Sequence, residues 1–194
     1  GLGLTEPVHL VGLSMGGPIV MGFAGRHPER VSDLFLFVPA GLDVAGADSS
    51  AAKLVRVSVI GDWIWQVFGR GILLGDPQYD ESAVAPDFRL QGDVTRQMDY
   101  RGYGPALLST LRHFPMSDRE YLFSTVAEKT EIPVMAMFGD QDATVSISSA
   151  AKLVALIPRA DVRIIEGGTH GVNYQRHTEV NPILLEWLAP NGAD

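Results

Sequence analysis

The chain of 194 residues contains no cysteine. That excludes disulfides, thiolate metal sites and a cysteine nucleophile. Basic residues are also scarce: 15 Lys and Arg stand against 23 Asp and Glu, a formal net charge of −8. A chain so short of cations is a poor partner for a nucleic-acid backbone or an anionic membrane surface. Long apolar runs are missing too. The stretch Val31–Gly41 is interrupted by Ser32 and Asp33. It falls well short of the ~18 residues a membrane span needs. No secretory leader is visible, although the chain opens Gly1-Leu2-Gly3 without a methionine. The expectation is a cytoplasmic protein. There is no internal repeat and no low-complexity tract. With 46% hydrophobic and 20% charged residues, the composition is that of a globular domain.

What is present is a series of short apolar runs separated by helical patterns. Pro7–Leu13, Leu34–Pro39, Ile132–Phe138 and Val162–Ile165 are continuous and apolar, as buried parallel strands are. Gly16–His27 is expected to be helical, with Pro18 in its first turn and Pro28 ending it. Ser146–Ile157 is a second helix, with Ser146 as its N-cap, and Pro182–Leu188 is a closing helix with proline at its start. Strands alternating with helices imply an α/β fold with a doubly wound, mainly parallel sheet, each crossover right-handed. Residues 42–131 do not fit the alternation. A structureless loop of that length is implausible in a compact domain. The segment therefore reads as a helical insertion, with helices over Ala51–Phe68 and Val94–His113.

Chemistry enters with Gly12-Leu13-Ser14-Met15-Gly16, which lies between the first strand and the first helix. A serine on a tight strand-to-helix turn has its hydroxyl lifted clear of the sheet. Side chains at the flanking positions would collide with the neighbouring strand and helix, which accounts for Gly12 and Gly16. The Met15 N–H is then placed where an oxyanion would form, aided by the positive end of the helix. Gly17 would let that helix lie close to the sheet. A serine nucleophile needs a base, and the base an orienting acid. Of the five histidines, His9, His27 and His113 read as caps or packed polar groups, whereas His170 follows the last strand in Gly167-Gly168-Thr169-His170-Gly171. His177 is the weaker second choice. Asp140 and Asp142 compete for the role of acid after the third strand, and Asp43 after the second is another candidate. The chain order serine, aspartate, histidine is that of the nucleophile-elbow hydrolases.

Gly-Leu-Ser-Met-Gly-Gly, His-Pro-Glu-Arg-Val, Phe-Gly-Asp-Gln-Asp and Gly-Gly-Thr-His-Gly together resemble the α/β-hydrolase superfamily. The resemblance is to its branch of cap-bearing esterases, acylglycerol lipases and carbon–carbon hydrolases, and it runs the length of residues 1–194. It selects Asp142 over Asp140 and matches His170 to the family's base. It makes residues 42–131 a helical cap and implies neither metal nor cofactor. The implied activity is hydrolysis of a small apolar ester or acyl substrate. Alternatives are carbon–carbon hydrolysis of a diketone-like ring-cleavage product, or a binding protein on the same fold that no longer turns over. Family members carry roughly three further βαβ-type units of ~30 residues before the elbow strand. The resemblance therefore covers the C-terminal half of the sheet and lacks the loop that supplies a second oxyanion donor. It implies a weakly active isolated chain, with the elbow-strand edge covered by a missing N-terminal half or by a second copy. The stretch Asp62–Phe68 is rich in aromatics and could pack as a helix, line the pocket, or do both on different faces.

Overall fold

The computed structural model describes residues 3–47, 49–75 and 90–189. They divide into two compact units, one formed by the chain up to Ala45 and from Met116 onward, the other by Gly46–Pro115.

The first unit is a four-stranded parallel sheet in the order β1 (Val8–Leu13), β2 (Val31–Phe37), β3 (Val134–Gly139), β4 (Asp161–Ile165). Strand alternation divides the two central strands between two cores. On one face, Leu34 and Leu36 of β2 and Ala136 and Phe138 of β3 meet Met21 of α1 (Gly16–Arg26) and Leu153 of α7 (Ser148–Leu156). On the other, Phe35, Phe37, Met135 and Met137 meet Val172 of α8 (Val172–Gln175) and Val180 of α9 (His177–Leu188). This is the doubly wound arrangement, and it explains why Leu34–Phe37 of β2 and the whole of β3 are apolar without interruption.

β1 lies at the edge, paired among the described residues with β2 alone. A buried carboxylate ties it down. Asp33 of β2 accepts from His9 Nδ1 at 2.5 Å and from Trp187 Nε1 of α9 at 3.1 Å.

The second unit is helical: α2 (Ser50–Arg56), α3 (Ile60–Leu74), α4 (Leu90–Met98) and α5 (Tyr103–His113). The helix expected over Ala51–Phe68 is two helices. Arg112 donates to the carbonyls of Val55 and Val57, satisfying the end of α2, and the Asp62 carboxylate accepts the Val59 N–H at 2.9 Å, opening α3. Likewise, the helix expected over Val94–His113 is broken by a turn at residues 99–102, with Gly102 at φ 96°, a left-handed conformation that suits glycine. The expected lining stretch Asp62–Phe68 falls in α3. No helix of the described residues is long and apolar enough to cross a membrane.

Two further boundaries differ from the sequence reading. The helical unit ends at Pro115, not at residue 131, because α6 (Glu120–Lys129) belongs with the sheet. Its Phe123 and Val126 are fully buried in the same core as Met21 and Ala24 of α1, and Gly25 lets Thr125 approach α1 closely. The closing helix starts at His177, so Pro182 lies inside it. The Arg176 carbonyl accepts the N–H groups of Glu179 and Val180, and the Arg176 side chain pairs with the Glu179 carboxylate at 2.8 Å. Burial of Val180 fixes the same early start. It outweighs the hydrogen bond that Pro182 cannot donate.

Phe123→Ala should cost about 3–5 kcal/mol, the usual range for emptying a buried phenylalanine site. Urea unfolding followed by circular dichroism measures it; a loss below about 1 kcal/mol would place α6 outside the core.

Candidate active site

The turn after β1 is built from backbone. Ser14 sits at φ 50°. That left-handed conformation costs a non-glycine residue roughly 1–2 kcal/mol. Its peptide group is held on both sides: its N–H donates to Phe37 O at 2.9 Å, and its carbonyl accepts from Gly17 N at 2.9 Å and Ala40 N at 3.0 Å. The end of β2 thus clamps the residue after β1. Gly12 is required by the close approach of α1, since a Cβ there would lie 2.8 Å from both Gly16 O and Val20 Cγ2. Gly17 is required in the same way by Pro39, at 2.5 Å. Gly16 is a correction: a Cβ there would meet nothing within 4 Å among the described residues, so no collision demands this glycine. Met15 is the N-cap of α1, and its N–H meets no acceptor among the described residues. It lies at the positive end of that helix.

Ser14, His170 and Asp142 are brought into one hydrogen-bonded line. His170 Nε2 is 2.9 Å from Ser14 Oγ, and His170 Nδ1 is 2.9 Å from Asp142 Oδ2. The carboxylate accepts, so Nδ1 carries the proton and Nε2 is left to accept the serine O–H. The imidazole is 9% and the Asp142 side chain 1% accessible, so water has little access to the contact between them. The other carboxylate oxygen of Asp142 accepts from Thr144 N at 2.7 Å and Val145 N at 2.9 Å. Those two bonds hold the carboxylate in the orientation that faces His170.

Backbone contact brings the two loops together. A Cβ on Gly139, at the end of β3, would lie 2.2 Å from Gly168 O. Gln141 N donates to that same carbonyl at 2.9 Å, and Asp140 accepts from Gly167 N at 2.7 Å. Asp140 is therefore a brace between the loops, which separates it from Asp142 by position and partner. The sequence reading weighed Asp140 as an acid and did not see this role; the signal was there in the pairing of a Gly-Asp loop with a Gly-Gly loop. Asp43, the other candidate, is taken up at α7 by Ser148 Oγ at 2.5 Å and Lys152 at 3.8 Å. The remaining histidines lie apart. His9 is on Asp33, His27 packs beside Phe23, His113 bonds to Ser109 O, and His177 bonds to Tyr174 O.

A parallel sheet covered on both faces, a left-handed serine after its edge strand and a histidine–aspartate pair on the loops after β3 and β4 define a protein of the nucleophile-elbow class. Residues 2–183 match the family model described as the alpha/beta hydrolase family. The chain belongs to that family. It is 25% identical over 190 residues to human monoacylglycerol lipase ABHD6, covering 95% of this chain and 55% of the lipase. It is also 25% identical over 190 residues to the 2-hydroxy-6-oxononadienedioate/2-hydroxy-6-oxononatrienedioate hydrolase of Burkholderia vietnamiensis, covering 93% of this chain and 62% of that protein. Among solved structures, a mutant of haloalkane dehalogenase DatA from Agrobacterium tumefaciens superposes with a TM-score of 0.73 at 19% identity, over 94% of this chain and 67% of that one. The chain thus spans little more than half the length of the curated relatives it matches.

Gly139→Ala should separate the loops that carry Asp142 and His170. A displacement of this kind commonly costs about 10²-fold, and the rate at which a fluorophosphonate labels Ser14 should fall by that order. An unchanged rate would show that the Gly139–Gly168 contact does not position the pair.

Proposed function

We propose that this chain carries the nucleophile, base and acid of a serine hydrolase that cleaves carboxylic esters with a small apolar acyl group. The observation supporting this reading is the continuous line from Ser14 Oγ through His170 to Asp142, with both contacts at 2.9 Å. Ser14 Oγ attacks the ester carbonyl carbon while its proton passes to His170 Nε2. The carbonyl oxygen becomes an oxyanion facing the Met15 N–H and the positive end of α1. As the tetrahedral adduct collapses, the alcohol leaves with the proton from His170, and the acyl group stays on Ser14. Water then attacks the acyl-enzyme, giving its proton to His170, which returns it to Ser14 as the acid departs. Asp142 remains ionised throughout. It keeps the proton on Nδ1 and stabilises the imidazolium. No step calls for a metal or an organic cofactor.

The same reading makes the chain the C-terminal portion of a longer hydrolase. Its support is the free side of β1 among the described residues, where Val11 and Leu13 are 48% and 37% exposed, together with the greater length of the relatives. A preceding half of the same protein would pair along that strand and bring a second oxyanion donor; a second copy of the chain is the other occupant the edge admits. A second chemical reading, water addition across a carbon–carbon bond next to a ketone, is favoured by the similarity to the Burkholderia hydrolase.

The test is an alkyl fluorophosphonate with intact-mass analysis. One adduct on Ser14, lost in Ser14→Ala and in His170→Ala, is expected; no adduct in the chain or in an N-terminally extended form would favour a binding protein. Asp142→Asn should slow p-nitrophenyl butyrate hydrolysis by about 10⁴-fold through the wrong imidazole tautomer. The chain alone should turn over this ester about 10²–10³-fold more slowly than the extended form, the usual effect of one missing oxyanion donor. Equal rates would remove the argument for a completing half. A vinylogous 1,5-diketone cleaved faster than the ester would move the assignment to carbon–carbon hydrolysis.

A further inference from the structure

Asp43, left over as an acid, belongs to a strip of chain whose backbone is held from α7. Ser149, the second residue of that helix, is fully buried. Its hydroxyl accepts the Asp43 N–H and donates to the Asp43 carbonyl, both at 3.1 Å. The donor and acceptor functions of one hydroxyl are thus used on a single residue. The hydroxyl is itself fixed, because Ala150 and Leu153 seat α7 in the core. An alanine at this position would release both peptide groups of Asp43 from the helix, and the N–H would lose its acceptor.

From Asp43 the hold passes to the loop that carries Asp142. The Asp43 carbonyl also accepts the Ser146 N–H at 3.0 Å, and Val44 pairs with Val145 in an antiparallel bridge. Ala45 N then donates to Thr144 O at 2.7 Å. The carbonyl of Thr144 and the N–H of Val145 belong to one planar peptide group. Its oxygen is on Ala45, and its N–H is on the Asp142 carboxylate at 2.9 Å. Accepting a bond at the oxygen strengthens the donor at the other end of the same unit. It also fixes the direction in which that donor points. The Thr144 N–H makes the second bond to the same carboxylate oxygen, at 2.7 Å. Val145 is buried, which seats the peptide from its side-chain end as well.

We propose that Ser149 and the strip it latches, residues 43–45, form a positioning element for the hydrolytic reaction. They orient the Asp142 carboxylate, which in turn keeps the His170 proton on Nδ1 and leaves Nε2 free to accept from Ser14. The proposal rests on the reading of Asp142 as the acid of the hydrolase. The test is made on the full chain with Ser149→Ala and Ala45→Pro. The second removes one N–H at an exposed position whose backbone is not left-handed. Val44 before it lies in a β-bridge, a conformation that a following proline tolerates. Nitrogen-15 spectra of the imidazoles in mildly alkaline solution report which ring nitrogen of His170 carries the proton. An alkyl fluorophosphonate reports the reactivity of Ser14. The parent chain should hold His170 in the Nδ1–H form. In both variants the Nε2–H form should appear, and labelling should slow about 10–10²-fold, as a misplaced catalytic group does. Phe123→Leu, which loosens the core of the same unit away from the strip, should change neither readout. Ala45→Pro decides alone if Ser149→Ala does not fold by circular dichroism. Folded variants that keep the Nδ1–H form and the parent labelling rate would overturn the proposal. So would an equal change in Phe123→Leu, since the effect would then be one of stability. A parent chain that takes no label would count against the hydrolase reading, and the His170 spectra would still decide whether the latch orients Asp142.

Discussion

The contact between the backbones of Gly139 and Gly168 is the constraint on which the candidate site depends. Two loops leave adjacent parallel strands at the same end of the sheet, one bearing Asp142 and the other His170. Parallel pairing sets strand ends side by side, but a few ångströms of clearance between the loops would leave the carboxylate out of reach of the imidazole. With no side chain at 139 the loops touch, and Gln141 N and Asp140 close the seam with hydrogen bonds to the glycine loop. The remaining alignment follows: Thr144 and Val145 turn the Asp142 carboxylate, Asp142 turns the imidazole, and the imidazole meets Ser14.

That seam is only as rigid as the sheet behind it. β2 and β3 are apolar on both faces because each serves two cores. Their strict alternation keeps register, since a slip by one residue would exchange the two faces completely. β1 is a different kind of strand, half-open and tied through His9, Asp33 and Trp187. Ser14 follows an edge strand, yet its position is set mainly by β2 and the residues just beyond it, through Phe37 and Ala40.

The sheet and the trio of side chains were legible in the sequence for one reason: both rest on local patterns. Continuous apolar runs mark two-sided strands, and Gly-x-Ser-x-Gly, Gly-Asp-Gln-Asp and Gly-Gly-Thr-His mark the loops that leave them. What was not legible depends on partners remote in the chain. Nothing local says that α2 ends at Arg56, because Arg112 satisfies the carbonyls of Val55 and Val57 from 57 and 55 positions away. The place of α6 with the sheet rests on Phe123 and Val126 meeting α1, near the start of the chain. Pro182 suggested a helix start and was overruled by Arg176 and Val180. The two glycines flanking Ser14 look equivalent in the motif, and only the packing of α1 distinguishes Gly12, which has no room for a side chain, from Gly16, which has room among the described residues.

The clamp on Ser14 uses the peptide group alone: Phe37 O holds its nitrogen, and Gly17 and Ala40 hold its oxygen. The shape of the turn is therefore indifferent to the hydroxyl it presents. The atoms that shape the turn and the hydroxyl that meets His170 are separate at this position, so replacing that hydroxyl by hydrogen would remove the contact with His170 and leave the backbone clamp in place.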